Sequence, residues 1–274
     1  MSESIGDILV VSDMDGTLLN GACELLSCNL ETIRLFKALG GRFTLATGRY
    51  YASIAMYPQL AELLEPAITA NGCVIYDFQE NKAKKSTVLS HLAARQVLRD
   101  VQEQFPAIGS MVFGADMKLY QINPSACLQA LIRDEKMSFS HKPVENLPDE
   151  WIKIIYAAER SELDEVEAYL GGRTYPGVYF VSTGDRYLEV LPKGVSKGSA
   201  LRELCDLLGV SLKNTYAIGD YYNDIEILKT AGHAVVMGNA PSDIKEMADE
   251  VIGTCEEGAV GQFLYSLIQK YAGG

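Results

Sequence analysis

Asp13 and Asp15 stand two residues apart in ILVVSDMDGTLLN, where an apolar run, Ile8 to Val11, breaks into a glycine-containing turn. Carboxylates so close repel one another unless a cation or a shared proton holds them. At the carboxyl end of a strand they would sit in the crevice where open α/β sheets bind ligands, and a divalent metal is the simplest holder. A lone Asp-x-Asp is also ordinary turn sequence. Here, however, Gly16 is free to take strained dihedrals and Thr17 can hydrogen-bond a neighbouring carboxylate. Asp13 is placed to attack phosphorus as a carboxylate nucleophile, giving an acyl phosphate. Asp15 can protonate the leaving oxygen and then activate water.

Three further segments carry candidate chemistry. AIGDYYND ends another apolar strand with Asp220, Asn223 and Asp224. Asn223 and Asp224 would serve as helix caps, but a third carboxylate near two others makes sense chiefly around a hard cation. Oxygen-only ligands favour Mg²⁺. Thr47, in FTLATGRY, lies at the end of a strand before a helix, where its hydroxyl and free N–H groups suit either a phosphate cradle or a plain helix cap. Arg49 assists there or is simply solvated. Lys197, in PKGVSKGSAL, falls in the first turn of an expected helix, the positive end of the dipole, so a phosphate or carboxylate partner would relieve both charges.

The elements that must position these residues follow from periodicity. Residues 7 to 77 alternate strand-like and helical patterns: ILVV, a helix over Leu25 to Leu39, RFTLA, a helix over Tyr50 to Leu64, then AIT and CVIY. That is the βαβ rhythm of a parallel sheet. It returns after residue 195 with helices over Ser199 to Leu208, Asp224 to Lys229, Ser242 to Ala248 and Val260 to Tyr271, separated by TYAIG, HAVVM and EVIG. The two stretches are expected to share one mostly parallel sheet with helices on both faces. Between them lies an α+β insert with its own sheet, entered through DFQENKAKKS and left through LPKGVSKG, both suited to hinge linkers. The expected division is a core over 1–83 and 191–274 and a cap over 84–190.

Composition bounds the partners. The 274 residues are 48% apolar and 22% charged, ordinary for a globular chain, and 24 basic against 36 acidic residues leave a net charge of −12. Such a field repels nucleic acid and anionic membrane, so an anionic substrate has to be captured locally. Six cysteines without a CxxC pair, and a start lacking a basic region and an apolar signal core, fit a reduced cytoplasmic protein. No apolar run approaches the roughly 18 residues a membrane helix needs. The three histidines lack metal-ligand spacing, and Trp151 is expected to pack within the insert.

With these residues in hand, the chain resembles the haloacid dehalogenase (HAD) superfamily, and within it the Cof-type phosphatases with a type IIB cap. DMDGTLL matches the family's DxDGTL, TGR its Thr-Gly-Arg segment, Lys197 its lysine and GDYYND its GDxxND, in the family order with gaps of 34, 150 and 23 residues. ITANG at 68–72, MGNA at 237–240 and EEGAV at 256–260 extend the likeness over the whole chain. The resemblance implies a Rossmann-like HAD core with the insert as a cap. Asp13 would be nucleophile and metal ligand, Asp15 acid/base and a ligand through its backbone carbonyl, and Asp220 the other protein ligand to Mg²⁺. Thr47, Gly48, Arg49, Lys197 and Asn223 would hold phosphate, with Asp224 supporting the metal or Lys197. Arg186 with Asp185, and Tyr50 or Tyr51, are further substrate contacts to weigh against surface and packing roles.

The implied activity is Mg²⁺-dependent hydrolysis of a small phosphate monoester, a sugar phosphate, nucleotide or phosphorylated cofactor, by a monomer or weak homo-oligomer. Transfer of the same phosphoryl group to a sugar hydroxyl, as in a phosphomutase, stays open on these residues. So does a non-catalytic signalling or metabolite-binding role.

Overall fold

A computed structural model describes residues 4–272 of the chain. Five strands open it: β1 (Leu9–Ser12), β2 (Arg42–Leu45), β3 (Ala67–Thr69), β4 (Val74–Asp77) and β5 (Lys82–Ser86). Six follow in the insert: β6 (Gly109–Gly114), β7 (Leu119–Asn123), β8 (Phe139–His141), β9 (Trp151–Ala157), β10 (Val178–Ser182) and β11 (Tyr187–Pro192). The last three are β12 (Thr215–Gly219), β13 (His233–Val236) and β14 (Glu250–Val251). The chain divides into two compact units, Met1–Lys85 with Ser196–Gly274, and Ser86–Val195.

In the first unit, a five-stranded sheet runs β14-β13-β12-β1-β2, and every pairing in it is parallel. Its strands are apolar on both faces because helices cover both, as purely parallel sheets require. Ile8, Val10, Phe43, Leu45, Tyr216 and Ile218 face one core, completed by Ile33 and Phe36 from the helix Ser27–Ala38 and by Val260 to Ile268 of the helix Ala259–Ala272. The alternate residues Leu9, Val11, Ala217 and Val236 face a second core with Leu201 and Leu204 of the helix Lys197–Leu208 and Ile227 of the helix Ile225–Thr230. Those two helices meet so closely that a Cβ on Gly198 would lie 2.3 Å from the Glu226 carbonyl oxygen. The chain is therefore an α/β protein with a Rossmann-like sheet, as the alternating pattern implies.

Three expectations need correction. The helix read over Tyr50 to Leu64 is two short helices, Tyr51–Ile54 and Pro58–Ala61. Pro58 takes the first position of the second, where its missing N–H is harmless, and it cannot continue a helix from Tyr57. Of the segments AIT and CVIY, only AIT touches the parallel sheet among the described residues, through one parallel bridge between Ile68 and Ala46 just past β2, where the Thr47 amide donates to the Ile68 carbonyl at 2.9 Å. The two segments become β3 and β4, antiparallel neighbours in a separate three-stranded sheet with β5. β5 itself arises from KAKKS, a segment expected to be only linker.

The second unit has its own six-stranded sheet, ordered β10-β11-β9-β6-β7-β8. It is antiparallel apart from the β7–β8 pair. The helices His91–Gln104 and Arg160–Gly171 contribute Val97, Leu98, Val166 and Leu170 to one core with Val112, Ile154, Tyr156 and Val190. Trp151 packs in that core and donates its indole N–H to the Pro148 carbonyl at 2.6 Å. On the other sheet face Lys153 and Glu189 are buried together, with Lys153 Nζ 2.9 Å from both Glu189 oxygens and 4.8 Å from the centre of the Phe113 ring. Removing one partner strands the other charge. Lys153→Met is expected to lower stability by about 3–5 kcal/mol, and the double variant Lys153→Met with Glu189→Leu to recover most of it, as read by denaturant unfolding.

Candidate active site

The order β12-β1-β2 sets three strand ends side by side, about 4.8 Å apart. The ladder runs one residue past the strands. The Asp13 amide donates to the Ile218 carbonyl at 2.8 Å, and the Ala46 amide to the Ser12 carbonyl at 2.9 Å. Asp13 follows the pairs Ser12↔Leu45 and Ser12↔Ile218, so Thr47 and Asp220 leave the adjacent strands one residue further on, at the carboxyl edge where such sheets bind ligands.

Lys197 reaches this edge from the first turn of its helix, whose N-cap Ser196 accepts a bond from the Ser199 amide. Its side chain is buried, with Nζ 2.6 Å from Asp13 Oδ1 and 2.6 Å from Asp224 Oδ1. Burial alone would lower the ammonium pKa, but the two carboxylates carry it above its ordinary value. Asp224 Oδ2 accepts from the Asp220 and Tyr221 amides at 3.0 and 3.2 Å, so both of its oxygens are satisfied.

Asp13 and Asp220 are in a different state. Burial pushes the Asp13 carboxyl well above the usual range; Lys197 opposes this, and Asp224, Asp220 and Asp15 add to it. Burial, followed by the Asp224 charge, pushes Asp220 up to about 7. Thr17 donates its hydroxyl to Asp220 Oδ1 at 2.8 Å. Gly16 adopts φ +72°, and a Cβ there would lie 2.5 Å from Asp220 Oδ2. The missing side chain is what lets the two acidic loops approach.

Asp13, Asp220 and Asp224 offer carboxylate oxygens all within 4.8 Å of one another. One buried ammonium does not balance three carboxylates, and among the described residues no hydrogen bond reaches Asp13 Oδ2. An all-oxygen donor set with excess negative charge fits a hard divalent cation. Because Asp224 is saturated by Lys197 and two amides, Asp13 and Asp220 are the better donors of that trio.

Asp15 does not join the cluster through its side chain. Its carboxylate is gripped by Arg49, Nε to Oδ2 at 2.8 Å and Nη2 to Oδ1 at 2.7 Å. Thr47 is buried and its hydroxyl accepts from the Arg49 amide at 3.1 Å. Gly48 passes close to Asn71, whose Nδ2 would be 3.1 Å from a Cβ on the glycine. Asn71, at φ +55°, in turn accepts from Asn223 Nδ2 at 3.3 Å.

Asn71 and Asn239 were not singled out from sequence. Asn239 Nδ2 donates to the Gly16 carbonyl at 2.8 Å, and its Oδ1 accepts from the Cys255 amide at 3.1 Å. Their segments, ITANG and MGNA, were visible only as part of a family likeness. Among the other candidates, Arg186 pairs with Glu159 at 3.4 Å, Tyr50 is buried and Tyr51 stacks on Tyr76. Tyr222 is exposed.

A model of the haloacid dehalogenase-like hydrolases matches residues 10–264. The chain belongs to that family. It is 32% identical to the HMP-PP phosphatase of Serratia proteamaculans (strain 568), with 93% of each chain covered. It is 26% identical to the pyridoxal phosphate phosphatase YbhA of Escherichia coli (strain K12), over 94% of this chain and 97% of the relative. A solved sugar phosphatase of HAD subclass IIB has the same fold, with a TM-score of 0.81 at 22% identity over 95% and 98% of the two chains. This haloacid dehalogenase-like hydrolase is thus an enzyme of the phosphatase type.

Gly16→Ala tests the close approach. It is expected to destabilise by about 1–2 kcal/mol for the left-handed backbone, with a further loss from displacing Asp220. Gly209→Ala, at φ +65° with nothing within 4 Å of the added carbon, should show the backbone part alone in the same urea titration.

Proposed function

We propose that this hydrolase is a Mg²⁺-dependent phosphomonoesterase that works through an aspartyl phosphate on Asp13. The observation that carries the proposal is the state of Asp13, with one oxygen fixed by the Lys197 ammonium at 2.6 Å and the other not hydrogen-bonded among the described residues. A carboxylate held so at a strand end can present its second oxygen to phosphorus. In the first step an Asp13 oxygen bonds to phosphorus as the ester P–O bond breaks, and the Asp15 carboxylic acid gives its proton to the leaving oxygen. In the second, water attacks phosphorus and gives a proton to the Asp15 carboxylate. Phosphate leaves, and Asp13 and Asp15 return to their starting forms.

Asp13, Asp220 and the Asp15 main-chain carbonyl would hold the cation, with Asp224 in support, and when bound it supplies positive charge that offsets repulsion between the carboxylates and the phosphoryl oxygens. Thr47, Gly48, Lys197 and Asn223 are assigned to the phosphoryl oxygens. Lys197 contributes charge, Thr47 and Asn223 hydrogen bonds, and Gly48 an unhindered backbone beside Asn71. The substrate class is a small phosphorylated metabolite: a sugar phosphate, nucleotide or phosphorylated cofactor. The pyridoxal phosphate phosphatase relative supports the last of these. None of the six cysteines is in a disulfide, which supports a reducing compartment, and we assign the enzyme to the cytoplasm as a monomer or weak homo-oligomer.

A phosphate-release screen over phosphorylated metabolites, run with Mg²⁺ and with chelator, is expected to give multiple turnovers only with the metal. Asp13→Asn should show no turnover while keeping the wild-type circular dichroism spectrum. Mg²⁺ at about 100 times its Kd should raise wild-type stability by about 2.7 kcal/mol, a readout independent of activity. Sustained turnover by a folded Asp13→Asn enzyme would remove the mechanism.

A further inference from the structure

Asp15 has to deliver its proton to one oxygen atom, yet its side chain is about half exposed, and among the described residues Arg49 is its only side-chain hydrogen-bond partner. Left alone, a carboxyl on a half-solvated turn would sample several rotamers. Arg49 removes that freedom. Its Nε and Nη2 meet the two Asp15 oxygens side by side, at 2.8 and 2.7 Å, the planar fork that fixes a carboxylate in direction as well as distance.

The fork is itself held. Arg49 is buried, its amide donates to Thr47 Oγ1 at 3.1 Å, and its carbonyl accepts from the Ala70 amide at 2.9 Å. The Tyr57 phenol meets the guanidinium and donates to the Cys23 carbonyl at 2.9 Å. A rigid support thus runs from the end of β2 to a mobile-type side chain at the end of β1. The guanidinium edge engaged on Asp15 is not at the same time available for two-point contact with phosphate.

We propose that Arg49 is a positioning residue that aims the Asp15 carboxyl for proton transfer and does not bind the phosphoryl group. The assignment rests on the aspartyl-phosphate chemistry proposed above. Exchange of a proton requires one Asp15 oxygen to leave the fork, while the other keeps its arginine contact and so keeps the direction.

Leaving groups separate this role from phosphate binding. 4-Nitrophenolate departs without a proton, whereas an alkoxide does not. For Arg49→Met, kcat/KM with an alkyl phosphate is expected to fall on the order of 10²-fold, and with 4-nitrophenyl phosphate by less than about threefold. Inhibition by inorganic phosphate should be unchanged. Arg49→Lys, which keeps charge but loses the fork, should fall between, and Asp15→Asn should show the same leaving-group selectivity. Equal losses on both esters with weaker phosphate inhibition would make Arg49 a phosphate ligand and overturn the proposal, as would an alkyl phosphate rate that does not fall. If Arg49→Met does not fold, the same two ratios are read from Arg49→Lys. Failure of the wild type to hydrolyse either ester would instead defeat the phosphatase mechanism itself.

Discussion

The site depends on one buried ammonium. Lys197 Nζ sits between Asp13 and Asp224, 2.6 Å from each, with almost no exposure to water. A charge taken so far from solvent persists only if paired and hydrogen-bonded, because desolvation alone costs several kcal/mol. The pairing ties together three distant pieces of chain: the turn after β1, the first turn of the helix Lys197–Leu208, and the loop after β12. Each piece would be poor alone. A lysine at a helix N-terminus opposes the dipole, and adjacent buried aspartates repel. Assembled, the lysine meets two anions, and Asp13 has one oxygen fixed while no hydrogen bond among the described residues reaches the other.

That assembly follows from strand order. Parallel neighbours deliver their carboxyl ends to one edge, and β1 is flanked there by β2 and β12. Thr47 and Asp220 arrive on either side of Asp13 because the register Leu9↔Arg42 and Leu9↔Thr215 brings three strands to their ends together. The loops then do the close work. Gly16 admits the Asp220 carboxylate, Thr17 bonds it, and Asn239 ties the Gly16 carbonyl to the Cys255 amide. The acidic groups thus take donors from several separate stretches of chain.

Sequence made part of this legible and hid the rest for physical reasons. Asp13, Thr47, Lys197 and Asp220 could be singled out because each breaks an apolar strand or opens a helix, so type and position spoke together. The same periodicity showed where β12 and the helix Lys197–Leu208 lie. It could not say which strands pair, so β3 and β4 read like members of the parallel sheet although they turn back on each other. Pro58 was the available sign that the segment from Tyr50 to Leu64 would break in two. The Asp15–Arg49 fork was out of reach. It joins residues 34 apart on loops after different strands, and nothing in DMDGTLL or TGR favours an arginine turned to the acid over one turned to phosphate. Asn71 escaped for a like reason, since an asparagine at positive φ in a loop also serves as an ordinary turn residue.

All residues given a part in the proposed chemistry belong to the unit Met1–Lys85 with Ser196–Gly274, and the cores on both faces of its sheet draw only on that unit. The core of Ser86–Val195 is likewise its own, closed by the helices His91–Gln104 and Arg160–Gly171. Substitutions inside one core therefore need not be matched in the other. Phosphoryl chemistry constrains carboxylates, a lysine and strand ends, all in the first unit, and places no demand on which side chains line the cap sheet. A buried charge pair such as Lys153 with Glu189 constrains each partner by the cost of stranding the other, whatever ester is hydrolysed. The motifs consequently specify the reaction class and are silent on the alcohol released.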